Sequence, residues 1–70
     1  MTTTIRIQLN GETAELPAGI SVAELVERRG LTGKRIAVER NQDIVPRGQH
    51  GSTRLEDGDV LEIVHAIGGG

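Results

Sequence analysis

The segment VLEIVHAIGGG, Val60–Gly70, places the most apolar strand of the chain directly before three consecutive glycines. Its alternation puts Leu61 and Ile63 on one face and Glu62, Val64 and Ala66 on the other. A strand this apolar is expected in the middle of a sheet, paired on both edges, with Leu61 and Ile63 turned toward a helix. Glu62, Val64 and Ala66 then form a mildly apolar surface that leads into Gly68, Gly69 and Gly70. The rest of the chain must supply the strands, the helix and a reason for the glycines.

Both kinds of element are legible upstream. Thr4–Leu9 alternates strictly, with Ile5, Ile7 and Leu9 against Thr4, Arg6 and Gln8. Asn10-Gly11 follows, the pair best suited to a two-residue hairpin turn with positive φ at both positions, and ETAEL returns with Ala14 and Leu16 inward before Pro17 ends the strand. Ser21 to Glu24 has the spacing of a capping box, so a helix is predicted from Val22. Val22, Leu25 and Val26 form its apolar stripe, Arg28 and Arg29 suit its C-terminus, and Gly30 supplies a left-handed stop. A third strand, RIAVER, carries Ile36 and Val38, and NQD turns into the brief strand IVP at Ile44 to Pro46. RGQHGST reads as irregular surface chain, Leu55 as its anchor, and EDGD at Glu56 to Asp59 as the turn into the last strand. The outline is ββαββ, a mixed sheet of four to five strands with one helix across it.

Composition narrows the function. Seventy residues make one small domain, and a formal net charge of -2 offers no basic field for nucleic acid. The absence of Cys excludes a disulfide framework and any thiolate chemistry, and the absence of Phe, Tyr and Trp removes the stacking platform for single-stranded RNA or DNA. The opening MTTTIRIQ alternates and contains no long apolar run, so a cytosolic protein with protein partners and no membrane contact is expected. GLTGKR, Gly30 to Arg35, falls short of a phosphate-binding loop and reads as a helix stop followed by a turn. His50 and His65 lack companions at metal-ligand spacing, and His65 is expected to be partly buried. Glu56, Asp57 and Asp59 read as turn residues rather than an acid/base pair. Together with Glu62 they could also steer docking onto a basic, apolar partner surface.

Two hairpins, one helix, a central last strand and a terminal Gly-Gly together resemble the ubiquitin-like β-grasp fold. The words IAVERNQDIVPR, Ile36 to Arg47, and DGDVLEIVHAIGGG, Asp57 to Gly70, are similar to the ThiS family, sulfur carriers of thiamine biosynthesis. The resemblance covers essentially the whole chain. It implies a β-grasp domain at 1–67 and a flexible glycine tail at 68–70. It also implies that the Gly70 carboxylate is adenylated and converted to a thiocarboxylate, with Gly68 and Gly69 as the access arm. The implied partners are a ThiF-like adenylyltransferase related to ubiquitin-activating enzymes, a ThiG-like thiazole synthase, and a sulfur donor such as a cysteine desulfurase. No cofactor is bound on this view: ATP is used by the activating enzyme, and the chain is a co-substrate rather than an enzyme. Glu62, Val64 and Ala66 become the docking surface. Physically the tail suits this role, because three glycines span roughly 10 Å and lack the Cβ that would obstruct a narrow channel. The competing readings are a carrier for molybdopterin synthase or tRNA thiolation, a modifier that forms isopeptide bonds, and a non-covalent β-grasp module whose glycines are incidental.

Overall fold

β1, Thr4–Leu9, and β2, Glu12–Pro17, pair antiparallel from Leu9↔Glu12 to Thr4↔Pro17 in the computed structural model, which describes residues 3–66. Asn10 and Gly11 take the turn at φ 51° and 83°, the left-handed pair that matches the twist of a hairpin. Ile5, Ile7, Leu9 and Leu16 are buried, as their alternation predicts. The helix α1 runs Val22–Arg28. Ser21 Oγ accepts from the Glu24 amide at 3.1 Å while the Ser21 amide donates to Glu24 Oε1 at 3.3 Å, which completes the capping box. At the other end Gly30 lies at φ 71°, its N–H donates to the Glu27 carbonyl, and the Leu31 N–H donates to Val26. Those two hydrogen bonds form a Schellman stop, which brings Leu31 down against the core.

β3, Ile36–Arg40, turns into β4, Asp43–Val45, and β5 is Val60–His65. The sheet order is β2-β1-β5-β3-β4, with β5 parallel to β1 and antiparallel to β3. The last strand is therefore central, and Leu61 and Ile63 are buried with Val22 and Leu25 of the helix in one aliphatic core. The short β4 is a fifth strand in its own right, which makes the order ββαβββ. The segment after it contains a short 3-10 turn, Arg47–Gln49, and docks on the start of α1. There the Val22 and Ala23 amides donate to the carbonyls of Thr53 and His50, satisfying two helix N–H groups that have no partner within the helix. Leu55 anchors the segment at 3% exposure.

His65 departs from expectation, since it is exposed rather than partly buried. Its partner across the ladder is Ile36, at the far end of the β3–β5 pairing. A helix of seven residues is about 10 Å long, whereas a strand of six reaches about 20 Å, so α1 does not extend over both ends of β5.

The turn from β3 to β4 is less favourable than the first hairpin. Asn41 and Gln42 both have positive φ, 51° and 74°, and glutamine has no local hydrogen bond to offset that conformation. Gln42→Gly is expected to stabilise the fold by about 0.5–1 kcal/mol, read as a higher urea midpoint at unchanged slope. A lower midpoint would show that the Gln42 side chain contributes more than its backbone costs.

Candidate functional site

β5 is held in register by three polar side chains. Asn10, already in the left-handed region for the hairpin, donates from Nδ2 to the Ile63 carbonyl at 3.2 Å and accepts the Ile63 N–H at 2.9 Å on Oδ1. Its side chain thus continues the parallel β1–β5 ladder one step beyond Leu9↔Leu61. Asn41 works similarly from the other side: its Oδ1 accepts the Val60 N–H at 2.9 Å and its Nδ2 donates to Asp59 Oδ1 at 3.0 Å. Asp59, only 6% exposed, also accepts from Arg40 Nε at 2.8 Å and from the Glu56 N–H at 2.8 Å. Burial alone would push its carboxyl up. The Glu56 amide, Asn41 and Arg40 outweigh that and hold it below the usual 3.8.

The EDGD segment is turn chemistry, as its composition suggests. Asp57 Oδ1 accepts the Arg6 N–H at 2.7 Å and the Gly58 N–H donates to the Arg6 carbonyl at 2.8 Å. The turn thereby satisfies the β1 backbone where β5 has not yet begun. Arg40 engages Asp59 and lies 3.7 Å from Glu56. Two of the four acids expected to steer a partner are therefore already tied to an arginine.

The predicted docking residues converge on the sheet face opposite the helix. Glu62 and Val64 are exposed there, and Ala66 is exposed just past the strand, its N–H donating to the Arg35 carbonyl. The register adds neighbours that the linear sequence does not reveal. Ala37 faces Val64, Glu39 faces Glu62, and Ile44 faces Glu39 from the edge strand. Ile44, Val64 and Val60 are 61%, 56% and 48% exposed, the large apolar side chains that the described fold leaves uncovered. Gly68, Gly69 and Gly70, the predicted attachment arm, lie outside the described residues.

Other candidates resolve into structure. His50 Nε2 donates to the Val45 carbonyl at 3.1 Å while its own carbonyl takes the Ala23 N–H, so it braces the loop against the helix. Gly33, at φ 82°, and the Lys34 N–H, which donates to Leu31, make GLTGKR a turn. Among the described residues no group of three or more His, Asp or Glu is placed to hold a metal ion. No helix among them is long and apolar enough to cross a membrane.

One helix packed on a mixed five-stranded sheet, with the first and last strands parallel neighbours at its centre, defines a ubiquitin-like β-grasp protein. The class hosts many functions, and comparison with known proteins narrows it. The ThiS family model matches residues 7–70, and the chain belongs to the ThiS family. It is 35% identical over 65 residues to the sulfur carrier protein ThiS of Bacillus subtilis, covering 91% of this chain and 98% of that one. It is 41% identical over 66 residues to a thiazole synthase of Magnetococcus marinus, covering 94% of this chain but only 20% of that protein. The chain thus spans about a fifth of the length of that relative, and the same holds for the thiazole synthase of Paramagnetospirillum magneticum. The crystal structure of a thiamine biosynthesis protein (ThiS) from Geobacter metallireducens superimposes with a TM-score of 0.82 at 25% identity, covering 94% of this chain and all of that one.

Proposed function

We propose that this chain is a sulfur carrier whose Gly70 carboxylate is adenylated and exchanged for a thiocarboxylate that donates sulfur to the thiazole of thiamine. The observation that carries the reading is the family match, which runs through Gly70 and includes full-length relatives named as sulfur carriers. The thiazole synthases that contain a similar segment support a thiazole synthase as the acceptor of the sulfur.

The chemistry follows from the weakness of a carboxylate as an electrophile. Transfer of AMP from ATP to the carboxylate, with release of pyrophosphate, makes a mixed anhydride with a good leaving group. The terminal sulfur of a desulfurase-derived persulfide then attacks the acyl carbon and AMP departs, leaving an acyl disulfide. A second thiol on the enzymes cleaves its S–S bond, becoming a disulfide and releasing the thiocarboxylate, so that one oxygen has been replaced by sulfur. The enzymes supply the catalytic groups in these steps, and this chain supplies the electrophile on an arm free of Cβ atoms. Glu62, Val64 and Ala66 are the surface by which a ThiF-like adenylyltransferase holds the domain while the arm reaches its ATP. A cysteine desulfurase is the sulfur source in this scheme, and the setting is the cytosol.

Intact mass tests the reading. After incubation with ATP, the adenylyltransferase and a sulfur donor, a species heavier by one oxygen-to-sulfur exchange is expected, and it should be absent without ATP. Mass is also the practical readout, because a chain with no aromatic residues is nearly silent in the near ultraviolet. An unmodified mass under conditions that load a B. subtilis-type carrier would overturn the proposal.

A further inference from the structure

The uncovered sheet face carries two cross-strand pairs of opposite logic. Arg6 and Glu15 are direct partners on β1 and β2, and their side chains meet at 3.1 Å. Glu39 and Glu62 are direct partners on β3 and β5, and both are acidic. Partners in such a register have Cβ atoms roughly 4.5–5.5 Å apart, where opposite charges stabilise and like charges destabilise. Among the described residues neither Glu39 nor Glu62 joins an ion pair or a side-chain hydrogen bond. The nearby arginines are committed elsewhere, Arg6 to Glu15 and Arg40 to Asp59. Glu39 is moreover half-buried, so water screens the repulsion incompletely.

Exposed apolar side chains surround this pair. Val60 and Val64 flank Glu62 along its own face of β5, Ala37 faces Val64, and Ile44 stands beside Glu39. Two carboxylates within a ring of valine and isoleucine do not suit a hard cation, which takes six or more oxygen ligands. They suit a planar guanidinium, whose five N–H donors can reach two carboxylates while its stem packs on apolar neighbours. An interface hot spot has this form, with a charged anchor inside a rim that excludes water.

We infer that Glu39 and Glu62 form a seat for one arginine on the surface of the activating adenylyltransferase, closed by Ile44, Val60 and Val64. This rests on the sulfur-carrier reading and adds to it the chemistry of the contact. The like-charge pair then lowers the stability of the free domain and is relieved only in the complex.

The test is the double variant Glu39→Gln/Glu62→Gln, which keeps shape and removes both charges. Its Tm is expected to rise by about 2–4 °C, since the cross-strand repulsion is gone. In ATP–pyrophosphate exchange catalysed by the ThiF-like adenylyltransferase, the KM for the carrier is expected to rise about tenfold with kcat unchanged. Added salt should raise the wild-type KM toward that of the variant. The control Glu12→Gln/Glu27→Gln, with the same change in net charge away from this face, should leave KM as it was. An unchanged KM in the Glu39/Glu62 variant, with the wild type active, rejects the seat and leaves the carrier function standing. A lowered Tm rejects it too, because the pair would then be structural. A wild-type chain that supports no exchange, where a B. subtilis-type carrier does, removes the function and the seat together.

Discussion

Deleting Gly69 and Gly70 together should abolish thiocarboxylate formation while leaving the Tm within a degree of the wild-type value. The two halves of this result have separate causes. All of the buried hydrophobic residues of the described core lie between Ile5 and Ile63, and the last described ladder bond is from the Ala66 N–H to the Arg35 carbonyl. No described contact is lost with the glycines. Loading, by contrast, depends on where the carboxylate ends up. Each residue removed shortens the arm by ~3.5 Å, and a misplacement of about 1 Å can already lower a rate by about 100-fold.

Deleting Gly70 alone makes the argument sharper, because it leaves Gly68-Gly69 as a chemically equivalent Gly-Gly terminus one residue short. A loss of 100-fold or more in that variant would assign the requirement to reach rather than to the identity of the last residue. Intact mass and a thermal melt on the same samples provide both readouts. If the doubly deleted chain still gains sulfur, the acceptor is not this carboxylate. If loading is lost but so is the fold, the tail contributes to stability and the two effects cannot be separate.

Where sequence signals were local, the fold could be read from them. Asn10-Gly11 needs positive φ, Ser21 and Glu24 cap each other over one turn, and Gly30 stops the helix, so each element edge is set by residues within about five positions. The central place of β5 was equally legible, because its apolar character requires cover. What the sequence hides is pairing across long separations. Asn10 serves the hairpin visibly, but its side chain also staples Ile63, 53 residues away. Glu39 was missed as a surface residue because its significance appears only once β3 and β5 are in register and Glu62 stands opposite. The motif VERN resembled the family as a word, and the structure supplies its physical reason: Arg40 and Asn41 both reach Asp59, 18 or 19 residues on. Asp59 read as one acid among several in a turn, since nothing in EDGD marks which carboxylate is buried.

Of the two buried polar side chains among the described residues, Ser21 and Asp59, that carboxylate should be the more costly to remove. Asp59→Ala withdraws the acceptor from the Glu56 N–H, the Asn41 amide and the Arg40 guanidinium at once. Buried donors left unpaired cost about 1–3 kcal/mol each, so a loss of about 3–4 kcal/mol is expected, with Glu56 and Arg40 partly rescued by water. A domain of this size holds roughly 4–10 kcal/mol in total, so the variant should be marginal at 37 °C. Asp59→Asn keeps the shape but turns one acceptor into a donor facing donors, and about 2 kcal/mol is expected. Its pH dependence identifies the cause. The folded-state carboxyl of Asp59 is held below its ordinary value, so its stabilisation is complete above about pH 4 and is lost as pH falls through the lower folded value. The gap in urea midpoint between wild type and Asp59→Asn should therefore be full at about pH 6 and clearly smaller at about pH 2.5. A gap of equal size at both pH values would mean that shape alone holds the turn. In that case the charge on Asp59 would not be what ties Arg40 and Asn41 to the start of the central strand.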